Sequence, residues 1–324
     1  MTKNSVLKIL SSSDGYVSGE EISKRINVSR AAVNAAVKKL RRDGYDILSA
    51  TNKGYFLKST PDIIAAETLA QYLPHSRCEK VLCLSSVDST NKKAASLAYD
   101  GSEDGTVVIA NRQTSGRGRM GRSFFSPGDK GIYLSILFKP QGEISELAGI
   151  TAAAAVAVCR ASKTVYGKLP DIKWVNDLLI NGRKVCGILT EAALEGESGR
   201  IKYIIIGIGI NVLGEEKDFP EEIRHTATSF EREYGTPVPR AEFAAEIIKE
   251  LDKLDFTSAD NKKKILSDYR RLCTTIGKDV GFLINSTEYR GVAAEINEDF
   301  SLKVRLSDGG FKDLKSGEIS LLKK

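Results

Sequence analysis

Apolar positions Val33, Ala36, Val37 and Leu40 recur at helical spacing, with Arg30, Asn34, Lys38 and Arg41 on the adjacent polar face. Just upstream, Ser18-Gly19-Glu20-Glu21 has the form of a capping box. It opens a helix through Ile22 and Ile26 that stops near Asn27, and Ser29 caps the helix that follows. Two short helices with so brief a break predict a helix-turn-helix. Beyond Gly44, extended residues 45–50, the turn Asn52-Lys53-Gly54 and extended residues 55–57 predict a hairpin, completing a winged helix-turn-helix.

The pattern changes around Pro61-Asp62, where a helix over 63–72 is predicted to join this head to a body. The body mixes strands at 105–111, 131–138, 172–180 and 201–212 with an Ala-rich helix at 144–166 and helices at 240–254 and 261–272, as an α+β or α/β sheet enzyme does. From Thr275, short alternating strands at 279–284, 289–296 and 302–306, with turns at Asn297-Glu298-Asp299 and Asp308-Gly309-Gly310, predict a small all-β barrel. The expected fold class is α+β, in three domains spanning 1–62, 63–273 and 274–324. No apolar run approaches the roughly 18 residues of a membrane span, and the N-terminus lacks the apolar core of a targeting segment. A soluble, cytoplasmic protein with no membrane partner is expected.

Charge sharpens this division. The net charge is +6; residues 1–60 carry 11 Lys/Arg against 5 Asp/Glu, and the rest of the chain carries 37 of each. All the excess positive charge therefore sits on the head, as phosphate neutralisation by a small nucleic-acid-binding module requires. A merely solubilising head would share that charge, but charge, turn and wing together favour DNA binding. The five cysteines fall in no CxxC or metal-ligand spacing, which predicts a reducing compartment. With only His75 and His225 as histidines, no protein-held metal is expected.

The chemistry concentrates in SGRGRMGRSFFSP, residues 115–127. Gly116, Gly118 and Gly121 match GxGxxG, but a dinucleotide turn opens directly into a helix, whereas Phe124-Phe125-Ser126-Pro127 and then a strand follow here. A kinase glycine loop lacks its HRD and DFG companions. What remains is Arg117, Arg119 and Arg122 alternating with glycines. Glycine lets the backbone approach a ligand, and guanidinium forks grip carboxylate or phosphate, so the loop suits a flexible anionic guest. A second nucleic-acid patch would leave the neutral body unexplained. Phe124 and Phe125 are either core residues or a platform for a base.

Lys173-Trp174-Val175-Asn176-Asp177-Leu178 places an amide and a carboxylate at a strand-to-turn junction, with Lys184 beyond it in a hairpin that returns through residues 187–191. Gly207-Ile208-Gly209-Ile210-Asn211 is a strand whose glycines permit close approach. Taken singly, each Asn or Asp could be a satisfied structural residue. No Ser/His/Asp or Cys/His set accompanies them, so a protein nucleophile is not expected.

In this order, Asp88-Ser89-Thr90-Asn91, the arginine loop, the KW-x-ND segment, Lys184 and residues 207–212 resemble the biotin protein ligase family. With the winged head, the chain resembles its bifunctional members, which are also biotin-operon repressors. The resemblance covers nearly the whole chain. It implies a central ligase domain of the class II synthetase kind and a C-terminal SH3-like β-barrel, with ATP and Mg²⁺ as cofactors and biotin as substrate and, as biotinyl-AMP, corepressor. It implies as partners biotin carboxyl carrier domains, operator DNA and a second copy in a ligand-dependent homodimer.

By that resemblance Ser89, Thr90, Asn91 and Gln113 bind biotin, and Gly116, Arg117, Gly118 and Arg119 fold over it. Phe124 stacks the adenine, with Arg122, Asn176 and Asn211 on the nucleotide. Lys184 and Arg119 offset charge as the biotin carboxylate attacks the α-phosphorus, and Asp177 orients or deprotonates the accepting lysine. Arg30, Asn34, Lys38, Arg41 and Lys53 contact DNA. Met120, Val175 and Phe124 depart from the commonest family wording, which bears on loop mobility and on the strength of adenine stacking. A non-catalytic biotin sensor, a lipoate-type ligase and a ligase whose head does not read DNA are the alternatives; turnover, the GRGRxGR loop and separable loss of DNA binding discriminate them.

Overall fold

The structure, a computed structural model, describes residues 2–42, 44–60, 62–139, 147–195, 200–255, 258–284, 287–315, 317 and 319–321. The chain divides into two compact units, 1–63 and 64–324.

The first unit contains α1 (Thr2–Ser11), α2 (Gly19–Ile26), α3 (Arg30–Arg42) and the antiparallel hairpin β1 (Asp46–Ala50) and β2 (Gly54–Ser59). Ser18 Oγ accepts the Glu21 N–H at 3.0 Å and Ser29 Oγ accepts that of Ala32 at 3.1 Å, so both predicted caps form. The capping box is only half made, because the Glu21 carboxylate pairs with Arg25. Asn27, at φ 51°, stops α2 in the left-handed region. No element is predicted from the sequence where α1 stands. Its Val6, Leu7 and Leu10 are buried against Ile22, Val33, Val37 and Leu40 in the unit's core, the packing that stabilises so short a helix.

In the second unit, α4 (Ala66–Leu69), α5 (His75–Cys78), β3 (Val81–Leu84), α6 (Thr90–Tyr99), β4 (Val107–Ala110), β5 (Gly131–Phe138) and α7 (Leu147–Tyr166) are followed by β6 (Asp171–Lys173), β7 (Asp177–Ile180), β8 (Arg183–Glu195) and β9 (Arg200–Asn211). Then come α8 (Phe230–Tyr234), α9 (Arg240–Asp252), α10 (Ala259–Leu272) and β10 (Asp279–Ile284), β11 (Thr287–Ile296), β12 (Leu302–Leu306), β13 (Phe311–Leu314) and β14 (Ile319–Leu321). Strands β3 to β9 form one sheet in the order β3-β4-β5-β9-β8-β7-β6, parallel only between β3 and β4. The last five strands form an antiparallel sheet, β13-β12-β11-β10-β14, whose Val280, Phe282, Ala293 and Ile296 join the core of the large sheet.

Two expectations change. The helix predicted over 63–72 shrinks to α4. The Asn111 amide takes both backbone groups of Ile64, donating to its carbonyl at 2.8 Å and accepting its N–H at 3.1 Å, and so holds it out of a helix. The strand predicted over 172–180 is two strands, because Trp174 and Val175 leave the ladder for other partners. Trp174 donates its backbone N–H to Thr275 Oγ1 (3.0 Å) and its indole N–H to the Phe300 carbonyl (3.1 Å), and the Tyr269 hydroxyl donates to the Val175 carbonyl (3.1 Å). The Ala-rich helix runs from Leu147; its predicted start at 144–146 lies outside the described residues. Among the described residues no helix is long and apolar enough to cross a membrane.

Alternation on β9 decides where a ligand can lie. Ile204, Ile206, Ile208 and Ile210 point into the core beneath α7 and α9, whereas Ile205 packs with Ala94 and Ala98 of α6 on the opposite face. Gly207 and Gly209 lie on that second face, where they add no side chain and leave room for Asn91 at the start of α6 and for Phe124.

Candidate active site

That face continues across three strands. Pairing sets Tyr133 and Gly187 beside Gly209, Ser135 and Leu189 beside Gly207, and Glu191 beside Ile205. A Cβ at Gly209 would stand 2.5 Å from Phe124 Cε1, and one at Gly207 2.8 Å from Asn91 Cγ; each glycine leaves room for a side chain lying on the sheet. Burial pushes the Tyr133 phenol well up, and its hydroxyl donates to the Pro127 carbonyl at 2.9 Å.

The start of α6 supplies the floor. Thr90 donates its N–H (2.8 Å) and hydroxyl (3.1 Å) to Gln113 Oε1, and Gln113 Nε2 donates to Ser126 Oγ at 2.9 Å. The fully buried Ser135 hydroxyl lies 2.7 Å from Thr90 Oγ1 and 2.6 Å from Asn91 Oδ1. Asn91 Nδ2 donates to Glu191 Oε2 (2.8 Å) and the Leu189 carbonyl (3.3 Å). The Ser89 backbone N–H, with Lys92, holds the Asp88 carboxyl below its ordinary range.

Over this floor the arginine loop closes on itself. Gly118 donates to the Arg122 carbonyl (2.7 Å), Arg122 to that of Arg119 (3.1 Å) and Phe124 to that of Gly116 (2.9 Å). The reversal needs left-handed backbone at Met120 (φ 54°) and Gly121 (φ 74°), and the Met120 side chain is exposed. Two guanidinium groups tie the loop to the walls: Arg117 lies 3.0 Å from Glu191 Oε1, and Arg119 Nη1 donates to Asn176 Oδ1 at 3.0 Å. Asn176 in turn donates to the Ile188 carbonyl at 2.9 Å, and Lys184 Nζ lies 2.7 Å from Asp177 Oδ1.

Two recesses result, meeting at a wall of Gly118, Arg119, Phe124, Asn176 and Lys184. The first also takes in Ser89, Thr90, Asn91, Gln113 and Arg117 and the glycines of the sheet. The second takes in Arg122, Lys173, Asp177 and, from the C-terminal sheet, Ile319 and Ser320. Among the described residues, four cations, Arg119, Arg122, Lys173 and Lys184, line it with one carboxylate, a setting for a polyanion.

All the site residues expected in the body gather here except two. Gly116 lines neither recess; its missing Cβ leaves room for the Phe124 carbonyl and for Ser126 Oγ. Asn211 ends β9 opposite Gly131, outside both linings. Sequence reading missed Ser135, Ser126 and Lys173, and took Glu191 only as part of a returning strand. A lone serine inside the apolar run GIYLSILF was the available signal for Ser135.

On the head, Arg30, Asn34 and Lys38 are exposed along α3 and Lys53 stands in the wing turn. Asn34 Nδ2 donates to the Tyr55 hydroxyl at 3.2 Å. Arg41 does not join them: its guanidinium turns onto β1, donating to the Ile47 carbonyl (2.9 Å) and Ser49 Oγ (2.7 Å).

Against known proteins, residues 83–211 match the model of the biotin/lipoate A/B protein ligase family and residues 2–56 an HTH domain model. A bifunctional ligase/repressor BirA of Bacillus spizizenii is 38% identical over 227 residues, 70% of this chain and 69% of that protein. The bifunctional ligase/repressor BirA of Escherichia coli K12 is 30% identical over 307 residues, 94% of this chain and 93% of its own. The solved Aquifex aeolicus biotin protein ligase in complex with biotin and ATP is similar over 75% of this chain and 99% of its own, at 27% identity and a TM-score of 0.62.

Proposed function

This chain belongs to the biotin protein ligases of the biotin/lipoate A/B protein ligase family, with the DNA-binding head of the bifunctional ligase/repressors, and from that premise we propose how its site works. The protein is an ATP-dependent biotin ligase: it makes biotinyl-5'-AMP and passes the biotinyl group to a lysine. The adenylate-bound form is also a DNA-binding repressor of biotin genes. One observation carries the assignment to this site: a recess floored by Ser89, Thr90, Asn91 and Gln113 and a cationic recess share a single wall containing Arg119 and Lys184.

The ureido ring of biotin, with two N–H donors and one carbonyl acceptor, pairs with Ser89, Thr90 and Gln113, and Asn91 fixes Thr90 through Ser135. Gly116, Arg117 and Gly118 cover it, which sets the biotin carboxylate at the wall. A carboxylate oxygen attacks the α-phosphorus, the bond to the β-phosphate oxygen breaks, and pyrophosphate leaves. Arg119 and Lys184 offset the charge that develops, with no protein nucleophile. The nucleotide occupies the cationic recess, its adenine on Phe124, with Arg122, Asn176 and Asn211 as further contacts. Asp177 is the one carboxylate lining that recess among the described residues, a donor set that suits a Mg²⁺ carried chiefly by phosphate oxygens and water. The ion would neutralise phosphate charge.

In the second step the amine of a carrier-domain lysine attacks the acyl carbonyl carbon, the acyl–phosphate bond breaks, AMP leaves, and the proton the amine gives up passes to Asp177. Asp177 orients that amine. The acceptor is a lysine of a biotin carboxyl carrier domain, and the work is done in the cytoplasm. Adenylate binding drives dimerisation, so that two heads present Arg30, Asn34, Lys38 and Lys53 to a two-fold operator; sedimentation that stays monomeric with biotin and ATP would refute the dimer.

Lys184→Met tests the wall. It should bind biotin normally and fail to form the adenylate; wild-type adenylation by this variant would contradict the mechanism.

A further inference from the structure

We infer that Glu191 is a positioning residue for the arginine loop: its carboxylate fixes Arg117 over the first recess and is itself aligned from the recess floor. Both oxygens are engaged, Oε1 by Arg117 at 3.0 Å and Oε2 by Asn91 Nδ2 at 2.8 Å. Asn91 has no freedom to turn. It is 5% exposed, and because Ser135 donates to its Oδ1 at 2.6 Å, its Nδ2 must face Glu191 and the Leu189 carbonyl.

The strand places Glu191 for this task. Gly187, Leu189 and Glu191 alternate onto the face of Gly207 and Gly209, and Glu191 stands at the end of the recess away from Asn176. Arg119 ties the loop to Asn176 at one side and Arg117 ties it to Glu191 at the other, so residues 117–119 span the recess. A bare carboxylate would repel the anionic guests proposed above; paired with Arg117, it fixes the loop without adding net negative charge. The Arg117 and Glu191 side chains are 45% and 34% exposed, so the pair is weak and governs the loop rather than the fold.

The kinetic consequence rests on the ligase reading; the loop consequence does not. In Glu191→Gln of the full chain, the carboxamide oxygen still accepts from Asn91, but an NH₂ group now faces Arg117. Trypsin cleavage after Arg119 and Arg122, followed by mass spectrometry, should accelerate about three- to fivefold, the scale of a part-exposed ion pair. The biotin KM should rise by about the same factor with kcat unchanged. Arg117→Gln should accelerate the same loop cleavage by a similar factor, and Glu191→Gln should add nothing to that cleavage rate on the Arg117→Gln background. Unchanged loop cleavage, effects that multiply in the double variant, or a Glu191→Gln chain that does not fold would overturn the proposal. Absence of biotin turnover in the wild type would sink the ligase reading, while cleavage would still judge Glu191.

Discussion

A methyl group at Gly207 probes the floor of the recess. In Gly207→Ala the new Cβ would stand 2.8 Å from Asn91 Cγ and 2.9 Å from Nδ2, with Oδ1 closer still. Asn91 cannot swing aside cheaply, because its amide is held by Ser135 (2.6 Å), Glu191 (2.8 Å) and the Leu189 carbonyl (3.3 Å). Displacing it breaks three hydrogen bonds worth about 1 kcal/mol each, so the loss of stability should be about 2–4 kcal/mol. For a unit of this size that lowers the thermal midpoint by roughly 5–15 °C. Thr90 leans on the same Ser135 hydroxyl, so biotin affinity should fall at least about tenfold, or 1.4 kcal/mol. Calorimetric unfolding and biotin titration measure both. A midpoint within about 1 °C of wild type, together with a Kd within about twofold, would refute the claim that the Asn91 network is the floor.

Gly209→Ala acts on the shared wall: its Cβ would meet the edge of the Phe124 ring at 2.5 Å, so the ATP KM should rise about tenfold and biotin affinity should fall with it, because Gly209 lines the first recess, at a cost of about 1–3 kcal/mol in stability. On the head, Lys38→Ala should weaken operator binding, reduce its log–log salt slope by about 0.9 and leave ligation intact. Arg41→Ala should instead lower the head's thermal midpoint, since Arg41 ties α3 to the Ile47 carbonyl; equal loss of ligation in Lys38→Ala would count against separable roles. Acid should unfold the second unit. Burial pushes Glu233 up, but Thr228, Asn181 and Arg183 hold it below its ordinary 4.5, and Arg271 and Arg160 likewise outweigh burial to hold Asp268 below 3.8. Depressed carboxylates lend stability that is complete above their ordinary values and lost as pH falls through the folded ones. The urea midpoint should therefore hold from about pH 7 to 5 and drop below about 4.5, less steeply in Glu233→Gln.

The head was legible because its determinants are local. Caps at Ser18 and Ser29, the stop at Asn27 and the Val33–Leu40 stripe are each set by neighbours a few residues away. Helix α1 was not, since its order comes from burial against residues that follow it in the chain. The same difference separates the two errors in the body, the region over 63–72 and the strand over 172–180. Local propensity favoured a regular element at both, and distant partners (Asn111 in one, Thr275 and Tyr269 in the other) took the backbone groups it needed. At the site, the arginine loop stood out by composition, and Lys184 by the family resemblance. Ser135, Lys173 and the full task of Glu191 did not, because they matter only once β5, β8 and the β6–β7 turn are set beside α6 and the loop.

The central claim is that one wall joins a biotin recess to a nucleotide recess and that activated biotin leaves it for a carrier lysine. Mass spectrometry of the purified protein with biotin, ATP and Mg²⁺, and then with a biotin carrier domain added, tests it most directly. Retained biotinyl-AMP, followed by one biotinylated lysine on the carrier, is the predicted result. Bound biotin with neither adenylate nor transfer would contradict it, and would leave a biotin sensor whose arginine loop is only a lid.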